Sequence, residues 1–485
     1  MELDNRTKGE TITTVVENKS HDEYTRDQRD LIRLGKNPVL KRNFGFMQIV
    51  GFSCTVLVTW EGSISWVALL SPPSYRKFLS YITGWVTLIG WQATTAAQAY
   101  LAGVVVQSVI LIFNEDYVGK PWQAMLCGWA LLALAVVINT VGSKTLAHFE
   151  GLILILHVLG FFAILIPLVY LSPHNTASVF TTMINSGGWP TQGISFLVGM
   201  PSTIFCLVGV DSCVHMAEEV RNASKVVPRA IQISVLLNGT LGLGMMVAYL
   251  FCLPPVDELL EGASKYSFAY IYVFLRGTGS PTGGAVMTLL IWVLGFCCLV
   301  GMLAATSRQM WSFARDDALP FSSFIVKLNP KTLIPVNTIA ITAFISMALS
   351  LISLGSTIAF NNIVNLSIGG LYASYFVVAS LLLWRRLQGI PAHDSRSTVV
   401  VAGPDTLQWG PWKVPGALGV ANNAFACVYL VIMWVFAFFP ADVAVTAQSM
   451  NWSSVTFGGT VLFAVVYYLL NGRKKYNGPI VELAL

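Results

Sequence analysis

Charge is scarce in this sequence: only 11% of its 485 residues are Asp, Glu, Lys or Arg, where a soluble globular chain carries about 25%. With 55% of the residues hydrophobic, too little polar surface remains to face water, which excludes an ordinary soluble domain and points to an all-α polytopic membrane protein. The net charge of +5 is spread over loops instead of forming one patch, so no nucleic-acid partner is expected and membrane lipid is. An apolar core is missing from residues 1–43, so no cleavable signal peptide is expected there. That polar stretch reads as a disordered cytoplasmic tail. Cysteine offers no disulfide framework: Cys54, Cys127, Cys206, Cys213, Cys252, Cys297, Cys298 and Cys427 all fall inside apolar runs, as small buried hydrophobes do. The segment "HMAEEVRNASK" matches neither zinc spacing, HExxH or HxxEH. No nucleophile–base spacing stands out, so no metal, cofactor or enzymatic activity is expected. No repeated filter-like segment suggests a channel.

What is abundant is apolar sequence of spanning length. A helix needs about 20 apolar residues to cross a bilayer, and eleven runs qualify, near 44–70, 78–113, 122–143, 148–171, 193–217, 230–253, 284–307, 333–354, 357–384, 418–439 and 452–471. Residues 44–476 form the transmembrane domain and 477–485 a short cytoplasmic tail. Of the 29 basic residues, all but Lys120, Lys265 and Arg276 fall on one side of this alternation. By the positive-inside rule that side, with the amino tail, is cytoplasmic. The loop "SPPSYRK" with Arg76 and Lys77 shares it. A single span between tail and loop cannot place both there, so either 44–70 enters and returns or a span is missing near Glu61–Trp66. We read a missing span.

Ionisable residues deep in such runs are functional by default, because their burial is costly. "CLVGVDSCVHMAEEVRNASKVVPR" puts Asp211 and His215 at that depth, and Gly209 breaks the helix register. Backbone freed by such a break is tolerated only against protein or a water-filled cavity. Discontinuous helices of this kind build the midplane sites of secondary transporters. The alternative for Asp211 is a bond to a neighbouring helix. "GFSCTVLVTWEG" is the second Gly-interrupted segment, with Ser53, Thr55, Trp60 and Glu61. Two broken helices at matching positions point to a transport site. Trp91 and Gln92 sit among small residues that suit close helix contact, with Ala96, Ala97 and Gly103 assigned to packing. Glu218 and Glu219 are either a solvated helix end or gating residues that pair with Arg308 or Arg315. His157 reads as an interhelical partner. Asn451 in "NWSS" is the Asn-x-Ser match on the outer face and a candidate for glycosylation.

The segments "GVDSCVHMAEEVRNASKVVPRAI", "FLSYITGWVTLIGWQA", "EGLILILHVLGFFAILIPLVYLSP" and "SRQMWSFARDDALP" resemble fungal members of the amino acid–polyamine–organocation transporter superfamily. The branch they resemble is that of the amino acid/choline transporters, with the GABA and choline permeases. The resemblance runs from Asn43 to about Tyr476. It implies a 5+5 inverted-repeat fold with two further helices, in which the first and sixth helices unwind around the substrate. It also implies proton-driven uptake across a plasma membrane, with the vacuolar membrane as the alternative. Val208, Gly209, Val210 and Asp211 then match the unwound sixth helix. Ser53, Thr55, Trp60 and Glu61 match the inner half of the first, and Trp91 and Gln92 the third. The chain departs from that pattern where "TWEG" joins "SISWVALLSPPS": about 11 spans stand where the family has 12, and the second span is expected to be deleted. The expected function is secondary transport of an amino acid or a related amine such as GABA or choline, by proton symport. The alternative is a transport-defective permease or a non-transporting nutrient sensor on the same scaffold.

Overall fold

The computed structural model describes residues 44–56, 63–141, 143–205, 208–209, 212–355, 357–389, 414–447 and 449–478, with backbone alone at 55–56, 63–65, 143–149 and 357–361. Among these residues the structure is helical, and the one β-type pairing is an isolated bridge between Phe44 and Val220. The helices of the first half are α1 Phe46–Val56, α2 Ser63–Leu70, α3 Arg76–Phe113, α4 Pro121–Thr140, α5 Ser143–Leu171, α6 Gln192–Ile204 and α7 Ser212–His215. Those of the second are α8 Ala223–Phe251, α9 Val256–Tyr266, α10 Ala269–Thr278, α11 Pro281–Arg315, α12 Val336–Ser350, α13 Thr357–Leu387, α14 Gly416–Phe436 and α15 Ser453–Tyr467.

Nine helices among the described residues are long and apolar enough to cross a membrane. They account for nine of the eleven predicted runs. Of the other two, 193–217 is interrupted at residues 208–209, between α6 and α7, and 44–70 is described as α1 and α2, with residues 57–62 outside the described residues. Helix α5 shows how the continuous spans are oriented. Leu152, Ile155, Leu159, Phe162 and Ile166 recur at helical spacing and are exposed, while Ile153, Ile164 and Leu168 are buried. An exposed stripe that is wholly apolar is a lipid-facing stripe.

Helix α3 is the axis of the bundle. Its 38 residues rise about 57 Å at 1.5 Å each, well beyond the bilayer's hydrocarbon core. Close crossings are made by small residues. A Cβ on Gly370 of α13 would lie 2.8 Å from Gly90 Cα of α3, so this crossing requires glycine. Thr94 and Ser367 hydrogen-bond across the same interface. Ala96 and Ala97 of α3 are buried with Ala124 and Met125 of α4, in the packing role that the sequence assigns them.

The charge partition has a spatial counterpart. Lys265 pairs with Glu115 at 3.0 Å, and Arg276 with Glu258 at 2.9 Å, at one end of the bundle. At the other end Lys77 Nζ donates to the Arg473 carbonyl at 2.8 Å, and Tyr81 of α3 packs on Phe313 of α11. There too the Phe44 N–H donates to the Glu219 carbonyl at 3.1 Å and the Arg221 N–H to the Phe44 carbonyl at 3.0 Å. Arg385 of α13 donates from Nε to the Leu70 carbonyl at 2.7 Å. Residues 44 and 70 therefore lie at the same, basic-rich end. The eleven residues described for α1 rise about 16 Å and the eight for α2 about 12 Å, and residues 57–62 between them lie outside the described residues.

Candidate functional site

The second interrupted run positions the site. Helix α6 ends at Ile204 and the helix resumes at Ser212. Between them Gly209 has φ +113° and is buried, as is Val208. That backbone conformation is open to glycine and strained for residues with a Cβ, so the break lies where the sequence places it. Val210 and Asp211 lie outside the described residues, as do Trp60 and Glu61, and only the backbone of Thr55 is described. Of the expected site residues, Ser53, Trp91, Gln92, Val208 and Gly209 are described, and all five are buried.

Helix α1 faces this break. Its Ile49 carbonyl accepts from Cys213 Sγ of α7 at 3.9 Å, and Ser53 is fully buried. Asn238 of α8 links α1 to α5: its Nδ2 donates to the Cys54 carbonyl at 2.8 Å, and its Oδ1 meets His157 Nε2 of α5 at 3.1 Å. His157 is thus the interhelical partner that its sequence context suggests. What the sequence hides is that this chain of bonds runs from α5 through α8 to α1.

Trp91 of α3 is 0% exposed, with its ring edge-on to His215 of α7 at 4.9 Å between centroids. The Trp91 carbonyl accepts from Thr95 Oγ1 at 3.0 Å, and Thr95 pairs with Thr306 of α11 at 2.8 Å. In this arrangement Trp91 braces α7 and presents no open face. Gln92 Nε2 donates to Thr342 Oγ1 of α12 at 3.2 Å, while its Oε1 has no hydrogen-bond partner among the described residues. The same holds for Ser53 Oγ, Ser212 Oγ, Ser346 Oγ and both amide atoms of Gln309.

Below the break lies a pair of ion pairs. Arg308 Nε donates to Glu219 Oε1 at 3.1 Å, with side chains 3% and 11% exposed. Arg315 Nη2 donates to Glu218 Oε1 at 2.9 Å in a more open position, and its guanidinium stacks on Trp311 at 4.7 Å. Both pairings considered from the sequence are present. They tie the segment after α7 to α11 at the basic-rich end.

Asn451 has a different position from the one its motif suggests. It is 3% exposed, and its Nδ2 donates to the carbonyls of Ala437 at 2.9 Å and Phe439 at 3.0 Å. An amide nitrogen so enclosed is a staple for the 437–451 turn and is not presented for glycosylation in this conformation. Among the described residues no group of His, Cys, Asp and Glu side chains is placed to hold a metal ion, and seven cysteines are free thiols.

Comparison with known proteins adds an independent line. A family model described as "Amino acid permease" matches residues 47–463. The chain is 27% identical over 456 residues to the amino-acid permease BAT1 of Arabidopsis thaliana, covering 90% of this chain and 85% of that one. It is 26% identical over 419 residues to the choline transporter of Saccharomyces cerevisiae, covering 86% and 70%. With amino-acid permease 2 of Neurospora crassa the identity is 26% over 417 residues, covering 85% and 73%.

Proposed function

This chain belongs to the amino acid permease family, and from that premise we propose that it is a secondary transporter of a small amine-bearing solute, an amino acid such as GABA or the amine choline, coupled to protons. The observation that carries the reading is the interruption between α6 and α7 at a buried glycine with φ +113°, with α1 bonded to α7 through the Ile49 carbonyl and Cys213. Discontinuous helices offer half-helix ends and freed backbone groups to both a carboxylate and an ammonium. Ser53, Gln92, Val208, Gly209, Val210 and Asp211, with Thr55, Trp60 and Glu61, are the proposed substrate contacts, and Trp91 supports them through His215. Glu219–Arg308, with Glu218, is the proposed gate on the basic-rich side, which the positive-inside rule makes cytoplasmic. The membrane is proposed to be the plasma membrane, with the vacuolar membrane as the alternative.

The test is uptake of labelled GABA, choline and neutral amino acids by cells that lack their own carriers for them. One of these should accumulate, and accumulation should collapse with a protonophore. No uptake of any probe would overturn the reading. One observation favours a second reading, a scaffold that senses without transport: "TWEG" joins "SISWVALLSPPS" where the resembled pattern has a further span. Binding of a probe without its passage would select it.

A further inference from the structure

After α15 the helix widens into a π-helical turn, Tyr468–Gly472, continues through Arg473–Lys475 and stops. Gly472 lets this turn lie against α3: a Cβ there would stand 3.1 Å from Tyr81 Cζ. The next residue after the helix, Tyr476, is 0% exposed. Its ring packs edge-on to Tyr81 of α3 at 5.2 Å and to Phe313 of α11 at 6.3 Å between centroids. Its hydroxyl donates to Ser80 Oγ at 2.9 Å. Lys77 Nζ donates to the Arg473 carbonyl at 2.8 Å and to Asn477 Oδ1 at 3.2 Å. An ammonium has three N–H donors, so one is left over. A chain segment this close to a terminus is loose unless tied down, and this one is fastened to α3 by a buried ring and three hydrogen bonds.

The neighbours of Tyr476 face outward. Arg473, Lys474 and Lys475 are exposed, directly after the lipid-facing stripe of Leu462, Phe463, Val466, Leu469 and Leu470. Among the described residues no carboxylate pairs with Lys77 or with these three, since the ion pairs there are those of Lys265, Arg276, Arg308 and Arg315. Of the acidic side chains described toward this end, Glu150 and Asp316 are buried, and Glu218 and Glu219 hold Arg315 and Arg308. Asp317, on the turn after α11, is exposed. Four cations are thus gathered at the foot of an apolar stripe without a counter-charge of their own. A phospholipid meets both features at once, with its acyl chains along the stripe and its headgroup phosphate on the cations. Basic clusters just beyond a span attract anionic lipids of the cytoplasmic leaflet, each residue strengthening the attraction about fivefold. We propose that Lys77, Arg473, Lys474 and Lys475 form a headgroup site for an anionic phospholipid, held in shape by the docked Tyr476. The site is independent of what the protein transports. Lipid binding and Tyr476 docking favour each other by the same factor, so the lipid also fastens α3 to α11.

The test uses the full chain in bilayers of equal parts phosphatidylserine and phosphatidylcholine, with Leu470→benzoylphenylalanine as a photoreactive probe beside the site. Mass spectrometry of the cross-linked chain counts the adducts of each lipid. Phosphatidylserine adducts should outnumber phosphatidylcholine adducts about fivefold or more, and near-equal numbers would overturn the proposal. Combined Arg473→Gln, Lys474→Gln and Lys475→Gln alters exposed side chains alone and should erase the excess. Its survival there would overturn the proposal. Lys225→Gln with Arg229→Gln removes two exposed charges of α8 and should leave the excess intact; its loss would make the attraction a diffuse one and the site would fall. Tyr476→Phe keeps the buried ring and should keep the excess, whereas Tyr476→Ala removes the anchor without removing a charge and should reduce it. An unchanged excess in folded Tyr476→Ala would overturn the ordered site, and if that variant does not fold, the triple replacement decides. Inorganic phosphate at constant ionic strength should not lower the excess; if it does, a small phosphate is the ligand and the lipid assignment is wrong.

Discussion

At the scale of single residues, the Glu219–Arg308 pair is the interaction with the most at stake. Both side chains are withdrawn from solvent, so removing one partner strands the other charge. Replacing only Glu219 by Gln, or only Arg308 by Met, should destabilise the protein by about 3–5 kcal/mol, whereas the double replacement should recover most of that loss. Thermal unfolding of the detergent-solubilised protein checks this as a double-mutant cycle, and additive single losses would show that the two charges do not interact. The Glu218–Arg315 pair is more open, and its removal should cost about 1 kcal/mol or less. Residue chemistry was partly legible without the structure. Glu218, Glu219 and Arg308 stand out because charges at the end of an apolar run are few. Glu150 did not stand out, because it opens the run "EGLILILH" and reads as a charge at the membrane surface. Its backbone carbonyl lies against Gly51 of α1, about a hundred positions away, and no local pattern records that approach.

At the scale of elements, an interruption defines the molecule. The Gly209 backbone angle of +113° would strain any residue with a Cβ by about 1–3 kcal/mol. Gly209→Ala should therefore lower the unfolding temperature modestly and reduce uptake far more than it reduces the amount of folded protein. Equal losses in both would mean that the break is merely structural. The existence of this break was legible, because a glycine beside an aspartate has few other uses within a span. The bracing of α1 by His157 and Asn238 was not. Each residue reads alone as a polar group on an apolar helix, and only the packing of α5 against α8 makes them one chain of bonds ending at the Cys54 carbonyl.

At the scale of the whole molecule, nine of eleven hydropathic runs are continuous helices among the described residues. Run length and apolar content are local properties, and the bilayer leaves helices few alternatives. The two exceptions are the runs with glycine and charge in their midst. The distribution of charge predicts sidedness, which cysteine labelling in sealed vesicles can measure. Arg76→Cys and Lys475→Cys should react from one side and Lys265→Cys from the other. Reaction of Arg76→Cys and Lys475→Cys from opposite sides would refute the return of the 44–70 segment to the end where it began.

The two backbone hydrogen bonds between Phe44 and the 219–221 segment join the chain just before α1 to the chain just after α7. Neither bond depends on a side chain, so the clasp survives any replacement at Phe44 or Arg221 except proline. It turns α1 and α7 into one lever with a common fulcrum. A tilt imposed on α1 is handed to α7 without passing through the solute, and whatever loosens one arm loosens the other in step.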